Sequence, residues 1–446
     1  MAKQYDLVVI GSGTAAMSAA MQVRAAGKQV AVIDFRPFGG TCALRGCDPK
    51  KVLVGGASAF DHVRRMRGKG IAGDSRIDWP GLIAFKRGFT DPVPPEMEQQ
   101  YADQGIDTWH GRARFTGPNT LDVEGGASLE ARHILLASGA EPVHLGIPGE
   151  EHLITNEGFL SLEALPARIV LVGGGYIAAE FSHIAARAGA HVTVLQRGPR
   201  MLKEFDPDLV DWLMESFTSL GIDVRTQTSV QRIEKTANGY RVEATHGTQI
   251  EADLIVHAAG RLPDFGALNL AAAGIEMENG RLKLNDFLQS TSNPAVYAAG
   301  DAARKGPPLT PVASHDAKVV AANIVNGNQT RPNYLGVPSV AFTIPPVASV
   351  GLTEAKAREK GIKFRVQSQK TPTWFTARQE AQPVSGHKVL VDQASSQILG
   401  AHLLGPHVDE LINIFALAIR HGLTADDLKT TVFAYPTAAS DIASML

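Results

Sequence analysis

Two segments of the chain repeat one pattern of apolar and small residues, about 160 residues apart. In each, a short apolar run is followed by a glycine-rich turn, an alanine-rich stretch and a second apolar run. The first copy spans residues 7–34 and the second spans residues 169–195. A short apolar run beside glycines predicts a buried parallel strand, and the alanine-rich stretch predicts a helix. The pattern therefore predicts two strand–turn–helix–strand units.

The glycine turns predict what these units bind. They contain the small residues of a dinucleotide fingerprint, Gly11, Gly13 and Ala16 in the first copy and Gly173, Gly175 and Ala178 in the second. The first glycine makes the turn, the second lets a pyrophosphate approach the backbone, and the third small residue lets the helix pack on the strand. The phosphates then face the helix N-terminus. Two such copies predict two dinucleotide sites.

The end of each second strand predicts which dinucleotide is bound. Asp34 ends the first copy, where a carboxylate accepts hydrogen bonds from a ribose diol. The second copy has no acid there and continues with Gln196 and Arg197, and Arg200 follows. Guanidinium groups suit a 2′-phosphate. We therefore expect the second site to prefer NADPH to NADH. A solvated arginine pair is the alternative.

The rest of the pattern divides the chain further. Residues 132–138 predict a buried strand that ends at Gly139, and residues 296–299 predict another that ends at Gly300 and Asp301. From about residue 333 the character changes. Apolar patches at 337–350, 388–391 and 398–403 precede a helical stretch at 409–421, without a glycine fingerprint. This tail is predicted to be a separate α+β domain.

Length and composition set broader limits. The 446 residues are about three times a usual domain length, so we expect two to four domains. With 44% apolar and 20% charged residues, the chain is typical of a globular protein with a sizeable core. A formal net charge of −2 gives no attraction toward nucleic acid or an anionic membrane. Neither a signal peptide nor a membrane span is predicted, so we expect a cytoplasmic protein.

The chain contains two cysteines, Cys42 and Cys47. They are too few for a disulfide scaffold or a multi-cysteine zinc site. Closing so short a loop would stabilise the fold by only about 2 kcal/mol, and a structural disulfide is unusual in the cytoplasm. Neighbouring cations favour a thiolate and one acid opposes it; these residues are Arg45, Lys50, Lys51 and Asp48. The pair predicts redox chemistry, with an incidental reduced pair as the alternative.

With this motif the chain resembles, along its whole length, the class I pyridine nucleotide-disulfide oxidoreductases, which include glutathione reductase, dihydrolipoamide dehydrogenase and mercuric reductase. The segment GGTCxxxxGCxPxK is the most specific sign, and the other motifs follow in the family's order. The resemblance implies an α/β fold with two Rossmann-like dinucleotide-binding domains, for FAD and NAD(P)H, and a C-terminal α+β dimerisation domain. The implied segments are an FAD-binding domain at 1–149, an NAD(P)H-binding domain at 150–262, the second part of the FAD domain at 263–332 and a dimer-interface domain at 333–446.

The resemblance also implies residue roles. Cys47 is similar to the family's flavin-proximal thiol, and Cys42 to the interchange thiol that attacks substrate. Lys50 and Glu180 are similar to an ion pair beside the flavin, and Tyr176 to the aromatic gate over it. Further positions match cofactor-binding segments of the family, including the ribityl-binding acid Asp301 and the pyrimidine-edge residues Thr310 and Pro311; the others are Gly40, Thr41, Ser138, Gly139, Ile177, Gly260 and Arg261.

The implied reaction passes electrons from NADPH through FAD to the Cys42–Cys47 disulfide. Cys42 would then attack an external disulfide and Cys47 would resolve the mixed disulfide. The implied enzyme is a homodimer whose active site is shared between subunits.

The C-terminal segment departs from the family. Members usually end with His-Pro-Thr-x-x-Glu from the partner subunit, whose histidine protonates the leaving thiolate. Here Tyr435 stands in place of the histidine and Ser440 in place of the glutamate. A tyrosine is a poor base at neutral pH. Mercuric reductases resemble the chain in this tyrosine but carry a C-terminal cysteine pair that is missing here. Glutathione reductases place a basic residue where this chain has Met21 and Gln22.

Three functions follow as alternatives. The first, which we favour, is an NADPH-dependent reductase of a small disulfide of unknown identity. The second is a metal or metalloid reductase that uses the same thiols. The third is a flavoprotein that reduces quinones or oxygen without a thiol substrate. No spacing of histidines, cysteines and acids predicts a bound metal. His315 is a candidate to replace the missing base.

Overall fold

The computed structural model describes residues 2–446. The β-strands of this part of the chain are β1 (Lys3–Ile10), β2 (Val30–Asp34), β3 (Asp107–His110), β4 (Ala113–Phe115), β5 (Thr120–Val123), β6 (Ala127–Leu136), β7 (Glu141–Pro142), β8 (Arg168–Val172), β9 (His191–Leu195), β10 (Asp223–Arg225), β11 (Val230–Thr236), β12 (Gly239–Ala244), β13 (Thr248–Ala252), β14 (Leu254–His257), β15 (Arg261–Leu262), β16 (Met277–Glu278), β17 (Arg281–Leu282), β18 (Val296–Ala298), β19 (Ser339–Ala341), β20 (Val347–Gly351), β21 (Phe364–Lys370), β22 (Gly386–Asp392) and β23 (Ile398–Leu404).

The α-helices are α1 (Thr14–Ala25), α2 (Gly40–Arg45), α3 (Cys47–Met66), α4 (Trp79–Thr90), α5 (Val93–Asp103), α6 (Asn156–Leu160), α7 (Tyr176–Arg187), α8 (Pro207–Ser219), α9 (Thr310–Asn326), α10 (Glu354–Glu359), α11 (Phe375–Arg378), α12 (Val408–His421) and α13 (Ala425–Thr430). Short 3-10 turns lie at Glu150–His152, Thr245–Gly247, Gly266–Leu268, Leu270–Ala273, Gly300–Ala302 and Ala438–Met445.

Two compact units make up the chain. The first contains the residues up to Lys50 together with Phe85–Val143 and Arg261–Tyr334, and the second contains Lys51–Ala84, His144–Gly260 and Leu335–Leu446. The predicted dinucleotide-binding segment 150–262 and the C-terminal segment 333–446 both fall largely in the second unit. The four predicted domain boundaries themselves stay predictions.

The first unit is built on a seven-stranded sheet. Strands β3, β2, β1 and β6 run parallel in that order, β18 joins β6 in parallel, and β5 and β4 continue the sheet antiparallel. The apolar run that predicted the first strand is fully buried in β1, and the alanines of α1 pack on the same core. Small alanine side chains let α1 lie close to the sheet and to α9. The predicted strand–turn–helix–strand order is therefore present.

The second unit contains three sheets. Strands β10, β9, β8 and β14 form a parallel sheet, and β11, β12 and β13 form an antiparallel one. The C-terminal strands β19, β20, β23, β22 and β21 form an antiparallel sheet, which α12 covers through an apolar face. The second predicted dinucleotide unit and the predicted α+β tail are thus both present, and the α/β fold class is confirmed.

A cluster of charged side chains around the buried Lys388 and Asp206 connects separate parts of the second unit. Lys388 of β22 is 3% exposed, and its Nζ lies 3.0 Å from Asp206 Oδ1, 2.5 Å from Asp208 Oδ2 and 3.5 Å from Glu354 Oε2. Asp206 also caps α8, where it accepts from the Asp208 amide. Such a cluster is costly to break, because one partner would be left charged and buried. Within residues 2–446, no helix is long and apolar enough to cross a membrane.

Candidate active site

The two cysteines belong to the first unit and lie on two consecutive helices. Cys42 lies in α2, and Cys47 begins α3. Gly40, at the start of α2, contacts the backbone of Gly13 in the first dinucleotide turn so closely that any side chain at position 40 would overlap it. Gly40 also has a φ of +67°, which disfavours other residues. The fold thus requires glycine here and places the dithiol helix directly against the dinucleotide turn.

The hydroxyl of Thr310 lies within hydrogen-bond distance of both sulfurs. Its hydroxyl donates to Cys42 Sγ at 3.1 Å and lies 3.3 Å from Cys47 Sγ. A hydroxyl carries one proton, so the Thr310 proton is within reach of either sulfur. Thr310 is the first residue of α9 and lies 263 positions after Cys47, so only the tertiary fold brings them together. Both cysteines are free thiols in this structure.

The environment separates the pKa values of the two thiols. A hydrogen bond from Cys42, the Thr310 hydroxyl and the nearby Lys50 lower the pKa of Cys47 to about 6, against burial and the Asp48 charge. The same hydrogen bond to Cys47, together with burial, raises the pKa of Cys42 far above its ordinary value. The pair therefore shares one proton at neutral pH. Cys47 is the thiolate and Cys42 holds the proton.

The first dinucleotide turn has the geometry that its sequence predicts. Gly11 has a φ of +104°, and a side chain there would overlap the carbonyl of Ala137. Asp34, at the end of β2, accepts from the Ser12 amide at 2.8 Å, from the Ser12 hydroxyl at 2.6 Å and from the Arg36 amide at 3.0 Å. An ionised carboxylate has about four acceptor positions, so room remains for a ribose hydroxyl. Ala16 is fully buried against the sheet.

The opposite edge of this site contains polar groups that fit an FAD molecule. The hydroxyl of Ser138 is buried and has no hydrogen-bond partner among residues 2–446. A buried hydroxyl without a partner is costly, and a bound cofactor would supply one. Burial raises the pKa of Asp301, while Arg261 and Arg304 lower it. Gly139, beside Ser138, has open space around its Cα. The residues of the first unit therefore fit FAD: Asp34 is placed to bind the ribose, and Asp301 is placed to bind the hydroxyls of the ribityl chain.

The second dinucleotide turn repeats this geometry. Gly173 has a φ of +123°, and a side chain there would overlap the Ala258 carbonyl, whereas Gly175 is exposed at the start of α7. Arg197 and Arg200 follow β9 and are exposed, and no acid of the described chain lies within ion-pair distance of either. Gln196 donates to the Arg200 carbonyl at 3.0 Å, which fixes the loop between the two arginines. Free guanidinium groups at this edge fit an anionic nicotinamide dinucleotide.

Tyr176 and Glu180 lie one turn apart on α7. The Tyr176 ring meets Phe205 edge-on, with centroids 5.5 Å apart. Burial raises the pKa of Tyr176 to about 12. Glu180 is 5% exposed and accepts from the Phe342 amide at 2.8 Å. Lys50 belongs to the first unit and Glu180 to the second, so their pairing stays a prediction.

The C-terminal segment contains Tyr435 and Ser440, the residues that stand where the family has its His-Glu pair. Tyr435 is 80% exposed. Ser440 donates to the Thr437 carbonyl at 2.6 Å and accepts from the Thr437 amide at 3.4 Å. It therefore closes a turn within its own segment, and its hydroxyl is engaged there. The next acid, Asp441, accepts from Thr376 at 2.6 Å. No acid within this segment is thus available to orient Tyr435.

The other predicted positions lie as follows. Thr41 is half-buried in α2 and Pro311 is exposed in the first turn of α9. Ile177 is half-buried in the first turn of α7, and Gly260 is exposed with a φ of +112°. Arg261 donates to the Ala140 carbonyl. His315 accepts from the Asn333 amide at 3.0 Å, so its Nε2 is already engaged. No group of three or more potential ligand side chains in residues 2–446 is arranged to hold a metal ion.

The sequence did not predict the contact of Thr310 with both sulfurs, because position 310 was assigned to the flavin alone. It also missed Asp316, a fully buried acid on α9. The sequence contained a sign of this role, because Asp316 interrupts the apolar stripe that Val312 and Val320 form on α9. An acid in an apolar stripe needs a partner, since acids are seldom fully buried unless paired.

Comparison with known proteins identifies relatives along the whole chain. Residues 5–317 match the family described as pyridine nucleotide-disulphide oxidoreductase, and residues 337–446 match its dimerisation domain. The chain is 32% identical over 443 residues to a glutathione reductase of Burkholderia cepacia, covering 99% of this chain and 98% of that protein. It is 32% identical to a mercuric reductase of Lysinibacillus sphaericus, covering 98% of this chain and 81% of that protein.

Solved structures show the same likeness. The HOCl-induced flavoprotein disulfide reductase RclA of Escherichia coli superposes with a TM-score of 0.90 at 28% identity, covering 99% of both chains. A Cu(II) complex of RclA matches with the same TM-score. A trypanothione reductase of Trypanosoma congolense is 31% identical over all of this chain and 96% of its own length.

Proposed function

Because the chain belongs to the pyridine nucleotide-disulphide oxidoreductase family, we propose that it passes electrons from NADPH, through FAD, to the Cys42–Cys47 pair and then to a low-molecular-weight disulfide. The family implies FAD and a nicotinamide dinucleotide, and Arg197 and Arg200 support NADPH. The observation that carries the proposal is the cluster of Cys42, Cys47 and Thr310, in which the hydroxyl lies within hydrogen-bond distance of both sulfurs and the surroundings lower the pKa of Cys47.

The bound cofactors supply the two electrons that reduce the Cys42–Cys47 disulfide. Lys50 stabilises the Cys47 thiolate that results. Asp34 and Asp301 are the acids that would hold the FAD hydroxyls, and the buried Ser138 hydroxyl would find its partner there. Arg197 and Arg200 would hold the nicotinamide dinucleotide through its phosphate.

The reduced pair can carry out exchange without a histidine. Cys42 Sγ attacks one sulfur of the substrate, so a Cys42–substrate bond forms and the substrate's S–S bond breaks. The Cys42 proton passes to the Cys47 thiolate, with the Thr310 hydroxyl in reach of both sulfurs, and then to the departing thiolate. Cys47, again a thiolate, attacks Cys42 Sγ. The second substrate thiolate leaves and the Cys42–Cys47 disulfide is restored.

The test is NADPH oxidation by the purified yellow protein with glutathione disulfide and a panel of other small disulfides. Cys42→Ser should abolish turnover with every disulfide and keep flavin-dependent turnover with a quinone. Tyr435→Phe is the matched comparison, and it should retain most disulfide turnover because the proton moves within the cysteine pair. Disulfide turnover that survives Cys42→Ser would contradict the proposal, as would the absence of turnover with the whole panel.

A second candidate function is reduction of a thiophilic or redox-active metal ion. It is supported by Tyr435 in place of the histidine and by the mercuric reductase and Cu(II)-bound relatives. NADPH supplies two electrons, enough for one Hg(II) to Hg(0) or two Cu(II) to Cu(I). Turnover with these ions that exceeds all disulfide turnover, and that Cys42→Ser abolishes, would favour this function over the first.

We also propose a homodimer that acts in the cytoplasm. The match to a dimerisation domain supports the dimer. Large side chains of the second unit are exposed in the single chain, with Val432 96%, Tyr435 80% and Leu417 58% exposed. Val432 and Tyr435 lie three residues apart, and large side chains left exposed in one segment are typical of an interface. A gel-filtration mass of two chains supports this assembly, and a mass of one chain refutes it.

A further inference from the structure

One buried acid of the first unit has no part in the reaction above. Asp316 lies on α9 and is 0% exposed. Its Oδ2 accepts from the Gly300 amide at 3.1 Å, and its Oδ1 accepts from the Tyr334 hydroxyl at 2.8 Å. A buried carboxylate is costly unless such partners satisfy it. Both oxygens are satisfied here, so Asp316 connects α9 to two separate segments of the chain.

One of these segments is the turn that carries Asp301. It follows β18, at the carboxyl end of a parallel strand, where α/β proteins bind their ligands. The Ala299 amide donates to the Leu136 carbonyl at 3.1 Å and fixes one side of the turn. The next amide, that of Gly300, donates to Asp316 Oδ2, so Asp316 fixes the following residue of the turn. The orientation of Asp301 therefore depends on Asp316.

The other segment is the stretch of chain that follows α9 and contains Tyr334. The ring of Tyr334 packs so closely on Gly306 that any side chain at position 306 would overlap it. Burial, and to a smaller extent the Asp301 charge, raise the pKa of Asp316 above its ordinary value, while the Tyr334 hydroxyl and the Gly300 amide oppose this rise. Two acids thus lie close together in a buried place. The hydrogen bonds from Gly300 and Tyr334 offset part of the repulsion that would otherwise push the turn away.

We propose that Asp316 and Tyr334 are positioning residues for bound FAD, which hold the Gly300–Asp301 turn so that the Asp301 carboxylate is presented to the cofactor. The inference rests on the proposed function, because it assumes that the first unit binds FAD. Since Thr310 begins the same helix, α9 positions both the dithiol and the acid that binds the flavin side chain.

The test measures release of FAD from the holoenzyme, by diluting the yellow protein and following the fluorescence of the freed cofactor. Asp316→Ala removes both hydrogen bonds and should raise the FAD dissociation constant about 30-fold. Tyr334→Phe removes one bond and should raise it about fivefold. Asp316→Asn keeps an acceptor for the Gly300 amide and should stay within about threefold of the parent.

Asn323→Ala is the matched control. Asn323 lies on the same helix, is 2% exposed, and accepts from the Gln329 amide at 3.1 Å and the Thr330 amide at 2.9 Å. It holds the returning segment without touching the Gly300 turn. Asn323→Ala should therefore lower the thermal unfolding midpoint and leave FAD release unchanged.

The outcomes separate the two proposals. Fast release in Asp316→Ala with rescue in Asp316→Asn supports the positioning role. Parent-like release in Asp316→Ala, or equal release in Asp316→Ala and Asn323→Ala, overturns it while the FAD enzyme itself stands. A parent protein that binds no FAD overturns the proposed function as well. If Asp316→Ala does not fold, Tyr334→Phe decides, since parent-like release there also overturns the inference.

Discussion

Replacing Thr310 by valine tests whether its hydroxyl sets the protonation of the dithiol. Valine has the same shape but no hydroxyl, so both contacts, at 3.1 Å to Cys42 Sγ and 3.3 Å to Cys47 Sγ, are lost. A hydrogen bond to a charged group contributes about 1.5–3 kcal/mol, and one pH unit corresponds to about 1.4 kcal/mol. Because the Cys47 residue is exposed to solvent although its sulfur is partly buried, we take the lower end, about one pH unit.

The expected shift is upward. The pKa of Cys47 lies at about 6 with Thr310 present and should rise to about 7 in Thr310→Val. Near neutral pH the thiolate fraction of Cys47 should fall from about 90% to about half. The difference in thiolate fraction is largest at about pH 6.5, midway between the two pKa values, where about three quarters of the parent and about one quarter of the variant is ionised. Disulfide turnover should fall in the same pH range.

The assay follows alkylation of the reduced holoenzyme by iodoacetamide as a function of pH, with each cysteine located by mass spectrometry. Only a thiolate reacts at an appreciable rate, so the midpoint of the Cys47 profile reports its pKa. Thr310→Ser keeps the hydroxyl and should keep the parent's midpoint. An unchanged midpoint in Thr310→Val, or equal shifts in the serine and valine variants, would refute the role given to the hydroxyl.

Two further predictions concern stability and nucleotide choice. His387 is 1% exposed, and neither ring nitrogen has a hydrogen-bond partner within residues 2–446. Burial lowers its pKa to about 4, so below about pH 6.5 the unfolded chain binds a proton that the folded chain does not, and the free energy of unfolding falls as pH falls. Relative to the parent protein, the free energy of unfolding of His387→Leu should therefore be about 2 kcal/mol more favourable at about pH 5 than at neutral pH, as measured by urea unfolding. The exposed control His62→Gln should show no such gain. Equal pH dependence in the two variants would contradict this prediction. The double variant Arg197→Gln and Arg200→Gln should raise the KM for NADPH by about 10- to 100-fold and the KM for NADH by less than about threefold, and equal losses for both nucleotides would show that these arginines do not read the 2′-phosphate.

The parts of the fold that follow from local patterns could be predicted from the sequence. The apolar runs of β1 and β8, each followed by a glycine turn and an alanine-rich helix, encode their structure within about 30 residues. The role of Gly11 and Gly173 follows from the same short segments. The C-terminal sheet was predicted as apolar patches, and the helix α12 was placed within one residue of its observed start.

The contacts that define the dithiol could not be predicted in this way. Thr310 reaches Cys47 across 263 positions, and no local periodicity records that approach. The sequence showed which cations favour a thiolate but not which cysteine would ionise. That choice depends on the direction of one shared hydrogen bond between Cys42 and Cys47.

The departure at the C-terminus was visible in the sequence, but its physical meaning was not. Replacing glutamate with Ser440 removes a carboxylate, and the structure adds that the Ser440 hydroxyl bonds only within its own turn. The acid one position later, Asp441, bonds to Thr376 instead. The hydrogen-bond partners of Ser440 and Asp441 depend on where their side chains point. That direction depends on the backbone geometry, which residue identity alone does not give.

The central claim is that electrons from NADPH reach Cys42 and Cys47. The most direct measurement adds NADPH to the oxidised holoenzyme without oxygen or disulfide, and then counts alkylated cysteines by mass spectrometry. We expect both cysteines, unreactive before, to become alkylated after NADPH is added. If the flavin loses its colour while both cysteines stay unreactive, the electrons do not pass to this pair, and the account is wrong.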